Sequence, residues 1–282
     1  TWSSSTNNRR FTPEYATDYL NYTPTSYVWS MVEQGYTEAY HEGEKLESGL
    51  SSSFYVAGEG YGKTHVNGVN GYNLDITAAT PLPYTSGPDA KFRGLVTTTA
   101  SAPVLSNTDP NHHTRWIING QTVYDATGKG CIQFKAETNF STAGMTNTTD
   151  LDWQIVGDLP VATMYQALTY WSIEYPRQPN FNGLNFFNAK LDNSVLQKTR
   201  LDISNFAASQ PIYFSYGSEF KRLMPEINGS IHSLLVPKNQ VNDQTQLLAF
   251  GIETAQEINN FSPVNGTGFF TNFENYAHDR AY

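Results

Sequence analysis

One short local pattern constrains this chain more than any other: Arg115-Trp116-Ile117-Ile118, then Asn119-Gly120, then Gln121-Thr122-Val123-Tyr124. Asn-Gly supplies the two positive backbone angles of a type I′ turn, and the arms on either side are β-prone, so the stretch predicts a two-residue hairpin. Strand character recurs at 26–32, 53–56, 92–98, 131–138, 153–156, 170–175, 212–216, 230–236 and 246–254. In the last of these, Leu248, Phe250 and Ile252 alternate with Ala249, Gly251 and Glu253, which gives one oily face.

Between these segments lie loops. Gly58, Gly60, Gly62, Gly68 and Gly71 mark one, and Pro81, Pro83 and Pro88 mark a long connection at 77–91. One helix is predicted. Asp158 suits its cap, Pro160 its first turn, and Met164, Leu168 and Trp171 recur at near-helical spacing, which places about three turns at 159–169. Residues 1–25 read as a polar arm. Many short strands with long loops predict a mainly β, antiparallel sandwich or barrel with about one short helix, and neither a repeat nor a composition break divides residues 1–282, so a single domain is expected.

Composition narrows the function classes. Charged residues make up 15% and aromatics 14%, a balance opposite to that of a disordered chain. The net charge of −9 argues against a basic nucleic-acid surface, and the pairs Arg9-Arg10 and Lys221-Arg222 read as solvated. Cys131 is the only cysteine, so no internal disulfide is available, and its setting reads as a buried strand. No secretory leader is recognisable, and no apolar run approaches the roughly 18 residues of a membrane helix. The six Asn-x-Ser/Thr sites are of the order that chance produces in a chain so rich in these residues.

Several constellations invite a chemical reading. Ala57-Gly58-Glu59-Gly60-Tyr61-Gly62-Lys63-Thr64 satisfies a loose phosphate-loop pattern. The segment Val66-Asn67-Gly68-Val69-Asn70-Gly71 just after it is a poor start for the helix that such a loop must feed, so Lys63 is not expected to hold a nucleotide phosphate. His112 and His113, with Asp109 nearby, suggest a metal site, but adjacent strand residues point to opposite faces, and an exposed loop pair is the preferred reading. Asp150, Asp152 and Asp158 suit a calcium loop or a glycosidase pair, yet they read better as solvated turn residues, as do Glu42, Glu44 and Glu47 beside His41. No nucleophile elbow or metalloprotease motif is present. No catalytic, metal-binding or cofactor-binding residue is therefore assigned, no cofactor is implied, and the expectation is a protein that is not an enzyme.

The aromatic load in loop-like stretches is the remaining signal. Phe181, Phe186 and Phe187 in 179–188, and Phe269, Phe270, Phe273 and Tyr276 in 261–276, stand among Asn, Gly and Thr and are candidate subunit-interface residues, because aromatics bury much area at modest entropy cost.

Met224-Pro225-Glu226-Ile227 and Ser230-Ile231-His232-Ser233-Leu234-Leu235-Val236-Pro237, then 246–258, resemble the late segment of the coat proteins of small icosahedral viruses, above all the invertebrate parvoviruses (densoviruses). This resemblance implies a jelly roll that assembles with copies of itself into an icosahedral shell around single-stranded DNA, with a host receptor or glycan on the outer loops and no membrane insertion. Its location would be the virion. The alternative is a secreted β-sandwich carbohydrate-binding, lectin-like protein, whose loops use clustered Trp or Tyr with polar Asn or Asp. A glycoside hydrolase with scattered carboxylates is the third reading.

Overall fold

The computed structural model describes residues 11–42, 56–99 and 109–254. The largest sheet has ten strands. Along its path lie β1 (Thr12–Tyr15), β16 (Phe220–Met224), β15 (Pro211–Tyr216), β19 (Gln244–Gly251), β13 (Phe186–Asp192), β2 (Val28–Gly35), β12 (Tyr165–Arg177), β7 (Ala90–Thr99) and β10 (Gln133–Phe140). The tenth, β5 (Val66–Asn67), pairs with the start of β12. A four-stranded sheet runs β6 (Tyr72–Ala79), β11 (Thr148–Ile155), β8 (His112–Ile118), β9 (Gln121–Gly128), and a three-stranded one runs β14 (Lys198–Ile203), β18 (Ile231–Pro237), β17 (Glu226–Asn228). A ribbon of β3 (Ala39–His41) and β4 (Gly60–Gly62) completes the set.

Two cores fill the space between the large sheet and the two smaller ones. Phe92, Val96, Phe134, Leu168, Trp171, Ile173 and Tyr175 from the large sheet meet Trp116, Ile118, Leu151, Trp153 and Ile155 from the four-stranded sheet. Gly94 makes room here: a Cβ at that position would lie 2.8 Å from the indole of Trp116. In the other half, Phe187, Leu191, Tyr213, Leu223 and Leu247 meet Leu201, Ile203, Leu234 and Val236 of the three-stranded sheet. Strand alternation explains why both cores share one face of the large sheet. On β2, Val28 belongs to the second core and Val32 packs against the first, so Trp29 and Met31 point the other way.

The predicted hairpin forms. Asn119 and Gly120 have φ of 47° and 79°, and Ile118 pairs with Gln121. The register then shifts between Trp116 and Ile117, because Trp116 faces Tyr124 while Ile117 faces Thr122.

The predicted helix at 159–169 does not form. Its second half begins the 13-residue strand β12, and the described residues contain only three short 3-10 turns, at Tyr19–Asn21, Thr142–Gly144 and Ile252–Thr254. A β-bulge is the reason. Leu168 pairs with Val96 and Tyr170 with Leu95, so Thr169 is an extra residue. It resets the alternation, placing Leu168 on the same core face as Trp171, Ile173 and Tyr175. An odd spacing of three on one face looks helical in sequence, although the backbone is extended.

The jelly-roll reading is likewise corrected. The large sheet is open, with β1 and β10 at its edges, and it is mixed, since β1 joins β16 in parallel. Alternating residues specify strands and faces. They do not specify which distant strand becomes the neighbour. Residues 77–91, read as one connection, begin inside β6, and the loop-like stretch 179–188 ends inside β13.

Candidate functional site

The bulge in β12 anchors the ribbon of β3 and β4. Its carbonyls accept two backbone hydrogen bonds, from Lys63 N–H to Leu168 O at 2.8 Å and from Tyr36 N–H to Thr169 O at 2.9 Å. Gly62 permits this approach: a Cβ there would stand 3.0 Å from the Leu168 carbonyl and 3.3 Å from the His41 ring. The glycines that resemble a phosphate loop thus serve a close backbone crossing. No helix comes after them, and the Lys63 ammonium meets Glu38 at 2.8 Å and lies 4.8 Å from the Tyr36 ring centroid.

On the outer side of the ribbon, Tyr40 and Tyr61 face each other across the strand pair, edge to face at 5.1 Å. They are 51% and 57% exposed, and Tyr165 at the start of β12 is 40% exposed. The Tyr40 hydroxyl donates to Glu59. On the inner side, His41 is buried and its ring stacks on His65 at 3.7 Å and 25°. The His41 Nε2 lies 2.7 Å from Lys63 O, and because a carbonyl only accepts, that nitrogen carries the proton. His65 Nε2 is 3.0 Å from the Thr99 hydroxyl, and its ring is 6.5 Å from that of Tyr165.

Electrostatics follow from these partners. Burial pulls the His41 imidazole below its ordinary value, against the Lys63 carbonyl, which favours the proton. The hydrogen bond from Lys63 holds Glu38 below the usual carboxylate range, and the same bond raises Lys63. The ribbon therefore presents two exposed aromatic rings beside carboxylates, and Lys63 is already paired with Glu38. Aromatic rings offer a flat apolar face, and the phenol and carboxylate groups beside them offer hydrogen bonds, which together suit a ligand that is apolar on one side and hydroxylated at its rim. In the sequence, Tyr40 and Tyr61 are two of 18 tyrosines, and nothing local pairs them. The signal that could have found them is a Tyr at the centre of each short segment, Ala39-Tyr40-His41 and Gly60-Tyr61-Gly62.

The other sequence candidates fall elsewhere. His112 and His113 are not an exposed loop pair but lie on β8, pointing to opposite faces. His112 is fully buried beside Asn111, and burial pushes it down to about 4. His113 bridges Asp125 at 2.6 Å and Asp158 at 2.8 Å, and Arg115 holds the other oxygen of Asp125 at 2.7 Å. Asp150 and Asp152 lie in β11 rather than in a turn, and Asp75 of β6 stands directly opposite Asp152. Burial, then the Asp75 and Asp150 charges, raise Asp152. Among the described residues, no group of three His, Cys, Asp or Glu side chains is arranged to hold a metal ion.

Of the interface candidates, Phe181 and Phe187 pack together at 4.2 Å within the second core, while Phe186 is exposed. Phe269, Phe270, Phe273 and Tyr276 lie outside the described residues, as do Glu44 and Glu47. No described helix is long and apolar enough to cross a membrane.

No protein-family model matches the chain, and no curated protein matches it. Among solved structures it is similar to PorU from Porphyromonas gingivalis, with a TM-score of 0.52 at 10% identity over 83% of this chain. The chain spans 21% of the length of that protein, and the likeness is one of fold. A β-glucuronidase from Ruminococcus gnavus (TM-score 0.22, 12% identity, 66% of this chain and 33% of that one) also matches. So does a glycosyl hydrolase family 2 member from Bacteroides cellulosilyticus (0.25, 10%, 77% and 31%). At those TM-scores the two carry no activity to this chain. The fold shared with PorU, together with the open and mixed large sheet, overturns the densovirus resemblance with its capsid function and virion location, and the expectation of a protein that is not an enzyme falls with it.

Proposed function

We propose that the Tyr40–Tyr61 ribbon is the carbohydrate-binding face of a β-sandwich domain spanning the chain, and that its ligand is a neutral pyranose. One observation carries this reading: two tyrosine rings, 51% and 57% exposed, are held in fixed relation on a ribbon tied to a core strand. Leaving an aromatic ring in water forgoes about 1.5–3 kcal/mol of burial, and the C–H face of a pyranose is a cover that restores part of it. The hydroxyls at the edge of the sugar then meet Glu59 and the phenols. Charge selects within the class. Glu38, Glu42 and Glu59 lie in or beside the ribbon and Lys63 is engaged by Glu38, so a uronate would meet repulsion that a neutral sugar does not. The secreted alternative belongs with this reading, since cell-wall polymers of such sugars lie outside cells.

Affinity electrophoresis tests the proposal. Migration of the protein is expected to be retarded by hydroxyethylcellulose or galactomannan and not by polygalacturonate. The double variant Tyr40→Ala, Tyr61→Ala is expected to weaken binding at least about tenfold, which corresponds to about 1.4 kcal/mol. Unretarded migration in every neutral polysaccharide would sink the reading. Reducing sugar released in the same incubations would add hydrolysis to binding.

A further inference from the structure

The tyrosine ribbon rests on two histidines, an unusual choice for a support. His41 is the inward neighbour of Tyr40 on β3, and His65 leads into β5, so the stacked rings join the ribbon to the large sheet. Neutral imidazoles stack well. Two imidazolium rings with centroids 3.7 Å apart repel each other, and one of them is 4% exposed and poorly placed to be screened by water. We propose that the His41–His65 stack is an acid-sensitive support for the tyrosine ribbon, so that the protein holds its glycan at neutral pH and releases it on acidification. This rests on the carbohydrate-binding reading of the same site.

The surroundings favour such a response. The Lys63 carbonyl meets His41, and the Thr99 hydroxyl of β7 and the Tyr165 ring of β12 stand beside His65; Glu42 follows His41 in sequence, Tyr36 and Glu38 flank Lys63, and Tyr40 and Glu59 lie on the outer side of the ribbon. Glu38 is occupied by the Lys63 ammonium and the Thr64 N–H, and Glu59 accepts from Tyr40. The Thr99 hydroxyl can accept from one charged ring, that of His65. The second charge, on buried His41, has the Lys63 carbonyl as its hydrogen-bond partner and meets the first across the stack. Burial opposes that second proton, so it adds only in acid, below the ordinary imidazole value of 6.5. Once added, it pushes the rings apart and strains the Lys63 N–H to Leu168 O bond that anchors the ribbon.

The test compares wild type with His65→Phe, which keeps a stacked ring and removes one of the two charges. Binding to hydroxyethylcellulose or galactomannan and the hydrogen-exchange protection of the Tyr36 and Lys63 amides are both measured at pH 7.5 and pH 4.5. For wild type, affinity is expected to fall at least about tenfold at the lower pH and protection of the two amides to fall with it, while His65→Phe changes by less than about twofold. Equal wild-type binding and protection at the two pH values would overturn the inference, as would an equal acid response in His65→Phe. The amide readout needs no ligand. Acid-sensitive protection without sugar binding at pH 7.5 would defeat the carbohydrate reading and leave the support acid-sensitive, whereas pH-independent binding would do the reverse.

Discussion

His113 is the residue whose charge state is most closely tied to the fold around it. Burial alone would lower its proton affinity, but the hydrogen bonds to Asp125 and Asp158 prevail and hold it above 6.5. A group raised in the folded state contributes stability that is fully present below the unfolded value and is lost as pH rises through the folded one. The same bridge, first through His113 and then Arg115, holds Asp125 below its ordinary value, and that contribution is lost as pH falls through the depressed folded value. Urea denaturation of wild type and His113→Gln is therefore expected to show a wild-type advantage at pH 5.5 that shrinks by pH 9. An advantage that grew with pH would refute this account. The adjacency of His112 and His113 was plain in the sequence, but the pair read as an exposed loop, whereas both lie on β8 and point to opposite faces. That one face was a core and the other a pair of carboxylates was not legible there, because Asp158 reaches His113 from 45 residues away.

Among the elements, β12 decides most. Its bulge at Thr169 accounts for the mistaken helix, the placing of Leu168 in the first core and the anchoring of the ribbon, through carbonyls that a regular strand would give to its neighbour. Gly62 is where this link is most exposed to substitution. Gly62→Ala brings a methyl to 3.0 Å from the Leu168 carbonyl and is expected to lower global stability by about 1 kcal/mol or less, since the ribbon lies outside both cores. Affinity for neutral polysaccharide is expected to fall about tenfold, because the ribbon lifts off its anchor. Denaturation midpoints and affinity electrophoresis measure the two effects, and a variant that loses stability but not affinity would separate the ribbon from the site. The hairpin at Asn119-Gly120 shows the opposite case. Two adjacent residues with positive φ form a turn by themselves, so nothing distant was needed to read it.

Across the whole molecule, the two cores are joined by one sheet, and its outer face carries a polar ladder at the join. Asp192 accepts from Tyr27, Trp29 and Gln244, and Glu174 lies between Lys190 at 2.5 Å and Lys91 at 3.4 Å, with the Lys91 ammonium 4.6 Å from the Trp29 ring centroid. Burial would raise Glu174, but the lysines outweigh it and hold the carboxylate below its ordinary value. Glu174→Gln is expected to cost about 1.5–3 kcal/mol at pH 7, in line with hydrogen bonds to charged groups, and to lower a single calorimetric transition that includes both cores. Two separate transitions in the wild type would show instead that the halves are independent. What the sequence by itself determined was local: strands from alternation, a turn from Asn-Gly, and a mainly β class from their number. The tertiary structure alone decided which strands became neighbours, that the large sheet stayed open, where the bulge fell and which tyrosines were left facing water. Backbone preference and side-chain alternation act over a few residues and are written in order along the chain, whereas strand pairing is a competition among distant segments for the same hydrogen bonds and the same apolar face, and its outcome is set by the packed whole.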